Sequence, residues 1–214
     1  MQLIFFIVLV GVVYADTTNS EPADQIKKDT PVWANEDKFG GYQDAWATIN
    51  KPNVDYYLVS ATYNKSETFG ENFSCVKVQT TSVHAANKSV DAEMKYKDEK
   101  KGIQTLQLRT KAIKEYNYIK KENALEYGSQ ADKGTTGQHA EARSASKAEV
   151  GTLVFSDPNR CDLVSVNDGD DMELWVNEDV KDQVPPCCLF LLDYFKPSGK
   201  PTHKIYISKE ECHY

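Results

Sequence analysis

The chain has 214 residues, a formal net charge of −7 and five cysteines. Once a leader is removed, that length suits one domain. A negative surface repels phosphate backbones, so nucleic acid is excluded as an expected partner.

Residues 1–15, from Met1 to Ala15, carry no charged side chain. A short apolar run ending Val13-Tyr14-Ala15 fits a secretory signal peptide cut after Ala15. It is too short to span a bilayer, and no second apolar stretch supports a membrane anchor. The expected location is therefore secreted and extracellular. Residues 16–30 are polar and read as a flexible N-terminal arm. Residues 31–214 are then the folded domain.

Tyr42, Ala45, Trp46 and Ile49 stand at helical spacing, which predicts a short helix within 36–49. Alternation follows. Tyr57, Val59, Ala61 and Tyr63 share one face of a strand over 55–63. Val90, Ala92, Met94 and Tyr96 alternate with Asp91, Glu93, Lys95 and Lys97 in the clearest strand of the chain. Further strands are expected at 73–81, 103–109, 111–119, 123–129, 150–156 and 161–166, with 172–176 closing the set. Many short strands with near-regular polar turns suggest an up-and-down barrel or a sandwich. Residues 128–149 have no apolar period and read as a long loop. The apolar block 186–195 starts at a proline and reads as a helix packed outside the strands.

The cysteines are Cys75, Cys161, Cys187, Cys188 and Cys212. In an oxidising compartment four should pair and one should be left over. Adjacent Cys187 and Cys188 would form a strained ring, so each is expected to face a different way. No metal-ligand spacing occurs, and no cofactor is expected. Asn64, Asn72 and Asn87 each begin a glycosylation sequon. No nucleophile motif, P-loop or dinucleotide fingerprint is present, so the chain is expected to bind and not to catalyse.

The segment Met172-Glu173-Leu174-Trp175-Val176 bears on what is bound. Either its aliphatic face lies in the core with Glu173 in water, or the aliphatics meet the outer helix and Glu173 and Trp175 face a cavity. The need of helix 186–195 for an apolar wall favours the second; the pattern alone leaves both open.

An ordered series of short motifs runs through the chain: Trp33-Ala34-Asn35-Glu36, Gln43-Asp44-Ala45-Trp46, Tyr56-Tyr57, Ala61-Thr62-Tyr63, Phe73-Ser74-Cys75-Val76, Glu122-Asn123-Ala124, Ser156-Asp157 with Cys161-Asp162, and Glu173-Leu174-Trp175. Together with the cysteines, the series resembles the tick salivary histamine-binding lipocalins over nearly the whole mature chain. The resemblance implies an all-β fold with minor α: an eight-stranded antiparallel lipocalin-type barrel, with a short N-terminal helix and a C-terminal helix packed outside. It implies disulfides Cys75–Cys212 and Cys161–Cys188, with Cys187 unpaired. It also implies sequestration of a host biogenic amine, histamine before serotonin, to blunt inflammation, and the chain is expected to act as a monomer.

Carried over residue by residue, the resemblance marks Tyr63, Tyr127, Asp162, Glu173 and Trp175 as ligand-binding. Phe69 stands where the family has Trp, and Thr48 where it has Ser. Elsewhere the chain departs. Ser66 replaces an acid, Leu108 a glutamate and Leu125 an aromatic, while Gly151 replaces an acid and Glu149 an aromatic. The family can carry two amine sites; acids of both are thinned here, leaving Asp162, Glu173, Trp175 and Tyr127 for one amine. Two other readings stay open. One is a carrier of leukotrienes or fatty acids in the same fold, which an inward Lys or Arg would favour. Arg109 and Lys111 are the nearest, but the parity of Leu106 and Leu108 turns them out. The other is a protein-binding module acting through the 128–149 loop.

Overall fold

The computed structural model describes residues 30–129 and 148–214. The signal segment, all but the last residue of the arm, and most of the 128–149 loop lie outside them. Eight strands form the fold: β1 (Asp55–Ala61), β2 (Ser74–His84), β3 (Ser89–Asp98), β4 (Gly102–Ile113), β5 (Ala124–Ser129), β6 (Glu149–Asp157), β7 (Cys161–Val166) and β8 (Asp171–Asn177). Each is antiparallel to the next, and β8 pairs back onto β1, with Tyr57 opposite Val176 and Ala61 opposite Glu173. The sheet is thus an eight-stranded antiparallel barrel with no open edge between first and last strand.

Three sequence expectations are corrected in detail. The strands expected at 103–109 and 111–119 are one strand, β4. Thr110 continues the ladder between Val90 and Tyr127 and is itself buried. Residues beyond Ile113 then turn through Tyr116 and Asn117, both at positive φ. The helix expected within 36–49 is two short ones, α1 (Glu36–Phe39) and α2 (Ala45–Ile49). Gly40-Gly41 breaks the run, and Asp44 caps the second piece by accepting from Ala47 N at 3.0 Å. The single face expected for Tyr57, Val59, Ala61 and Tyr63 is also divided. A register shift between Leu58 and Ser60 reverses the alternation. Tyr57 and Val59 pack outside, with the outer helix, whereas Ala61 and Tyr63 join the interior cluster of Leu58, Phe73 and Met94.

The N-terminal motif residues fasten α2 to the barrel. Gln43 is fully buried, and its Nε2 donates to Trp33 O at 3.0 Å and to Val154 O at 2.9 Å. Its Oε1 accepts from the Tyr118 hydroxyl. A buried amide satisfied on both ends fixes one geometry, because leaving either end unpaired costs about 1–3 kcal/mol.

The outer helix α3 (Pro186–Phe195) buries Cys188 and Leu192 against Met172, Leu174 and Val176 of β8. These aliphatics therefore face out of the barrel and under α3. Cys161–Cys188 ties α3 to β7, Cys75–Cys212 ties the C-terminal tail to β2, and Cys187 is free and exposed. The tail also adds a short strand, His203–Lys204, beside Ser60 and Ala61. Among the described residues no helix is long and apolar enough to cross a membrane.

Candidate functional site

The strand alternation decides what faces inward. With Met172, Leu174 and Val176 under α3, the period of two sends Glu173 and Trp175 into the barrel. There they line a cavity of about 140 Å³ together with Tyr127, Asp162 and Thr48. The rest of the wall is largely apolar and includes Val78, Val90, Ala92, Met94, Leu108 and Leu125.

Glu173 is the chemical centre of one side. It is buried, and both carboxylate oxygens are held: Oε1 accepts from the Tyr63 hydroxyl, and Oε2 accepts from Trp175 Nε1 at 2.8 Å. Both donors are neutral. Among the described residues no cation pairs with Glu173. Burial pushes its carboxyl above the ordinary range; the Tyr63 and Trp175 bonds oppose this, and Glu149 and Asp171 add to it. The phenols of Tyr63 and Tyr127 are pushed far up, first by burial and next by the Glu173 charge. The Glu173 carboxyl is thus buried among neutral donors, with no counter-charge beside it among the described residues. A buried, hydrogen-bonded carboxylate without a counter-charge gains most from an incoming one.

Asp162 is the second acid. It stands on β7 directly opposite Trp175 on β8. It is 3 % exposed. Burial raises its carboxyl to about 6, against the pull of a Ser156 hydrogen bond and the Lys51 charge. Its Oδ1 is buried with no hydrogen-bond partner. Thr48 approaches this acid through a relay: its Oγ1 lies 3.3 Å from Ser156 Oγ.

The remaining expected residues divide. Tyr63 reaches the site through its bond to Glu173 but is not part of the cavity wall. Phe69 is buried away from the cavity in an aromatic cluster, with ring centroids 4.8 Å from Phe73 and 5.2 Å from Tyr96. It supports the wall that Met94 presents. Glu149 is exposed and accepts from Thr68 Oγ1 at 3.2 Å, so it biases the site only through its charge. Arg109 points out and pairs with Asp91 at 2.7 Å.

Sequence reasoning missed Lys51 and Tyr56, which also line the cavity. Lys51 Nζ donates to the Tyr56 hydroxyl at 2.9 Å. Lys51 lies in the connection between α2 and β1, where strand parity says nothing. Tyr56 lies on the strand face opposite Tyr57, and the bulge near Val59 brings that face into line with the interior Ala61 and Tyr63.

A closed antiparallel barrel with an outer helix and an interior lined by acids and aromatics defines a lipocalin-type small-molecule binder. The model of the tick histamine-binding protein family matches residues 33–214, and the chain belongs to that family. It is 35% identical over 191 residues to the male-specific histamine-binding salivary protein of Rhipicephalus appendiculatus, covering 85% of this chain and 87% of that one. It is 30% identical over 190 residues to the female-specific histamine-binding protein 1 of the same tick, covering 86% and 90%. Among solved structures, the complex of AM182 with serotonin has a TM-score of 0.52 at 20% identity, covering 79% of this chain and 94% of that one. Japanin from Rhipicephalus appendiculatus, bound to cholesterol, also has a TM-score of 0.52, at 15% identity, covering 77% and 97%. These two likenesses are of fold.

Proposed function

We propose that this protein is a secreted salivary scavenger of a biogenic amine, held in the barrel cavity by Glu173. The observation that carries the reading is the buried Glu173 carboxylate, with two neutral donors and, among the described residues, no cation beside it. An ammonium entering the cavity loses its water and receives the carboxylate in exchange. The aromatic faces of Trp175 and Tyr127 add cation–π attraction and a flat surface for a ring. The two R. appendiculatus relatives are named for histamine binding, which supports the same ligand class. The protein acts by stoichiometric capture and not by turnover.

The uncharged segment at residues 1–15 and the two disulfides suit an extracellular protein. Asn64, Asn72 and Asn87 are exposed and open to glycosylation there. Removal of host amine at a feeding site blunts inflammation.

A lipid carrier is the alternative that the apolar wall supports, with Leu108 and Leu125 in place of polar or aromatic groups, and Lys51 is the inward cation that would meet a lipid carboxylate. Size argues against it. An apolar cavity of about 150 Å³ takes up one benzene ring, and the cavity here is about 140 Å³. Calorimetric titration of the mature protein with histamine, serotonin and a long-chain fatty acid tests the choice. Amine heats with none from the fatty acid are expected; the reverse overturns the reading.

A further inference from the structure

The outer helix α3 carries two apolar faces and uses one of them. Cys188, Leu191, Leu192 and Phe195 stand at helical spacing and pack with Met172, Leu174 and Val176 of the barrel wall. Each has an apolar counterpart one residue earlier in the chain: Cys187, Phe190, Leu191 and Tyr194. Leu191 belongs to both sets, and Asp193, the one charged residue of α3, belongs to neither. The rest of the second set stands in water. Cys187 is exposed, Phe190 is 63 % and Tyr194 68 % exposed, and the two rings stack with centroids 5.9 Å apart. Neighbouring apolar side chains left in water together, unlike single ones, call for a reason.

The cysteines suggest one. Cys188 is bonded to Cys161 of β7, and the free Cys187 Sγ lies 4.0 Å from Cys188 Sγ. A disulfide bond is about 2 Å long, so Cys161 Sγ is within about 6 Å of the free thiol. A thiolate beside a disulfide exchanges with it by direct attack on a sulfur. Attack on Cys188 Sγ would close a strained ring between adjacent residues. Attack on Cys161 Sγ would not. There the Cys161–Cys187 bond forms as the Cys161–Cys188 bond breaks. The electron pair leaves on Cys188 Sγ, which takes up a proton in place of the one that Cys187 gave up. No oxidant or reductant is consumed.

We propose that α3 is a two-position helix, its position set by which of Cys187 and Cys188 is bonded to Cys161. Successive residues on a helix are about 100° apart. A turn of that size brings Cys187 to the place of Cys188, and Phe190, Leu191 and Tyr194 to the places of Leu191, Leu192 and Phe195. One apolar set thus replaces the other against the barrel. Leu174 packs under α3 between Glu173 and Trp175, so the exchange changes the support behind the cavity wall. The proposal does not depend on which ligand the cavity holds.

The test maps the free thiol. The mature protein is held at about pH 8.5, where a thiol is partly ionised, and then denatured in acid, which removes the thiolate and stops exchange. A maleimide labels the free thiol, and tandem mass spectrometry reads whether Cys187 or Cys188 carries it. Label on both is expected, with roughly 1–10 % on Cys188, as for a populated minor state. Cys188→Ser is expected to fold with a Cys161–Cys187 disulfide, no free thiol and unchanged circular dichroism. Label confined to Cys187 in the parent protein overturns the proposal. So does Cys188→Ser that folds with Cys161 and Cys187 both free, or with Cys187 bonded to a second copy of the chain. Should Cys188→Ser fail to fold, the labelling of the parent protein decides alone.

Discussion

Trp175 Nε1 donates to Glu173 Oε2 at 2.8 Å, from a position two residues along the same strand. The pair can form only because both side chains lie on the inner face of β8. Their shared orientation is fixed from outside, by the burial of Leu174 between them against α3. The site thus depends on a helix that does not line the cavity.

Tyr63 supplies the other bond to Glu173. In Tyr63→Phe, Glu173 loses a donor that holds its carboxyl down while burial keeps pushing it up. The carboxylate form becomes harder to keep. Amine affinity at neutral pH is expected to fall by about ten-fold, the worth of one hydrogen bond to a charged group. The pH at which binding is lost is expected to move upward. Calorimetry across pH measures both.

Asp162 has a folded carboxyl raised to about 6 from an ordinary value of 3.8. A raised acid favours the folded state below its unfolded value, and that contribution is lost as pH rises through the folded one. Asp162→Asn is therefore expected to stabilise the empty protein at about pH 8, by on the order of 2–3 kcal/mol. The advantage should fade as pH falls from about 6 towards about 4. Urea unfolding at both ends of that range reads the difference.

Gly151 stands on β6 where the family resemblance has an acid. A Cβ built there would lie 2.8 Å from Val164 Cγ1 and 3.5 Å from Tyr127 Cε1. Both neighbours line the cavity. Gly151→Ala is expected to cost about 1–3 kcal/mol by overpacking and to weaken ligand binding by displacing Val164 in the cavity wall. A thermal melt and a titration on the same sample test this. The lost acid is thus not a simple deletion, because the wall has closed over its place.

The disulfides close loops of different length, with sequence separations of 137 for Cys75–Cys212 and 27 for Cys161–Cys188. Loop entropy gives upper values of about 5 and about 3.5 kcal/mol. Replacing both cysteines of the first pair by serine is expected to lower the melting temperature more than replacing those of the second. Removing Cys161–Cys188 should nevertheless hurt binding more, since it frees α3 from the wall behind Glu173.

Most of the strands were legible because one face of each is buried, as in the alternation of β3 from Val90 to Tyr96. The inward face of Glu173 and Trp175 was legible for a less local reason: an apolar helix needs an apolar wall. What stayed hidden breaks the period locally. A bulge near Val59 reverses β1, and Thr110 carries a polar side chain into the barrel without ending β4. Lys51 stayed hidden because it belongs to a connection, whose side chains follow no period. Its place in the cavity comes from the packing of α2 under the barrel.

The central claim is that Glu173 holds a cationic amine. Calorimetry of histamine and serotonin against the mature protein and Glu173→Gln tests it most directly. The account predicts binding that weakens as pH falls and Glu173 takes up its proton, and a loss of at least about thirty-fold in Glu173→Gln, as expected when one member of a buried charge pair is neutralised. Undiminished amine binding in Glu173→Gln, with the same pH profile as the parent protein, would contradict it.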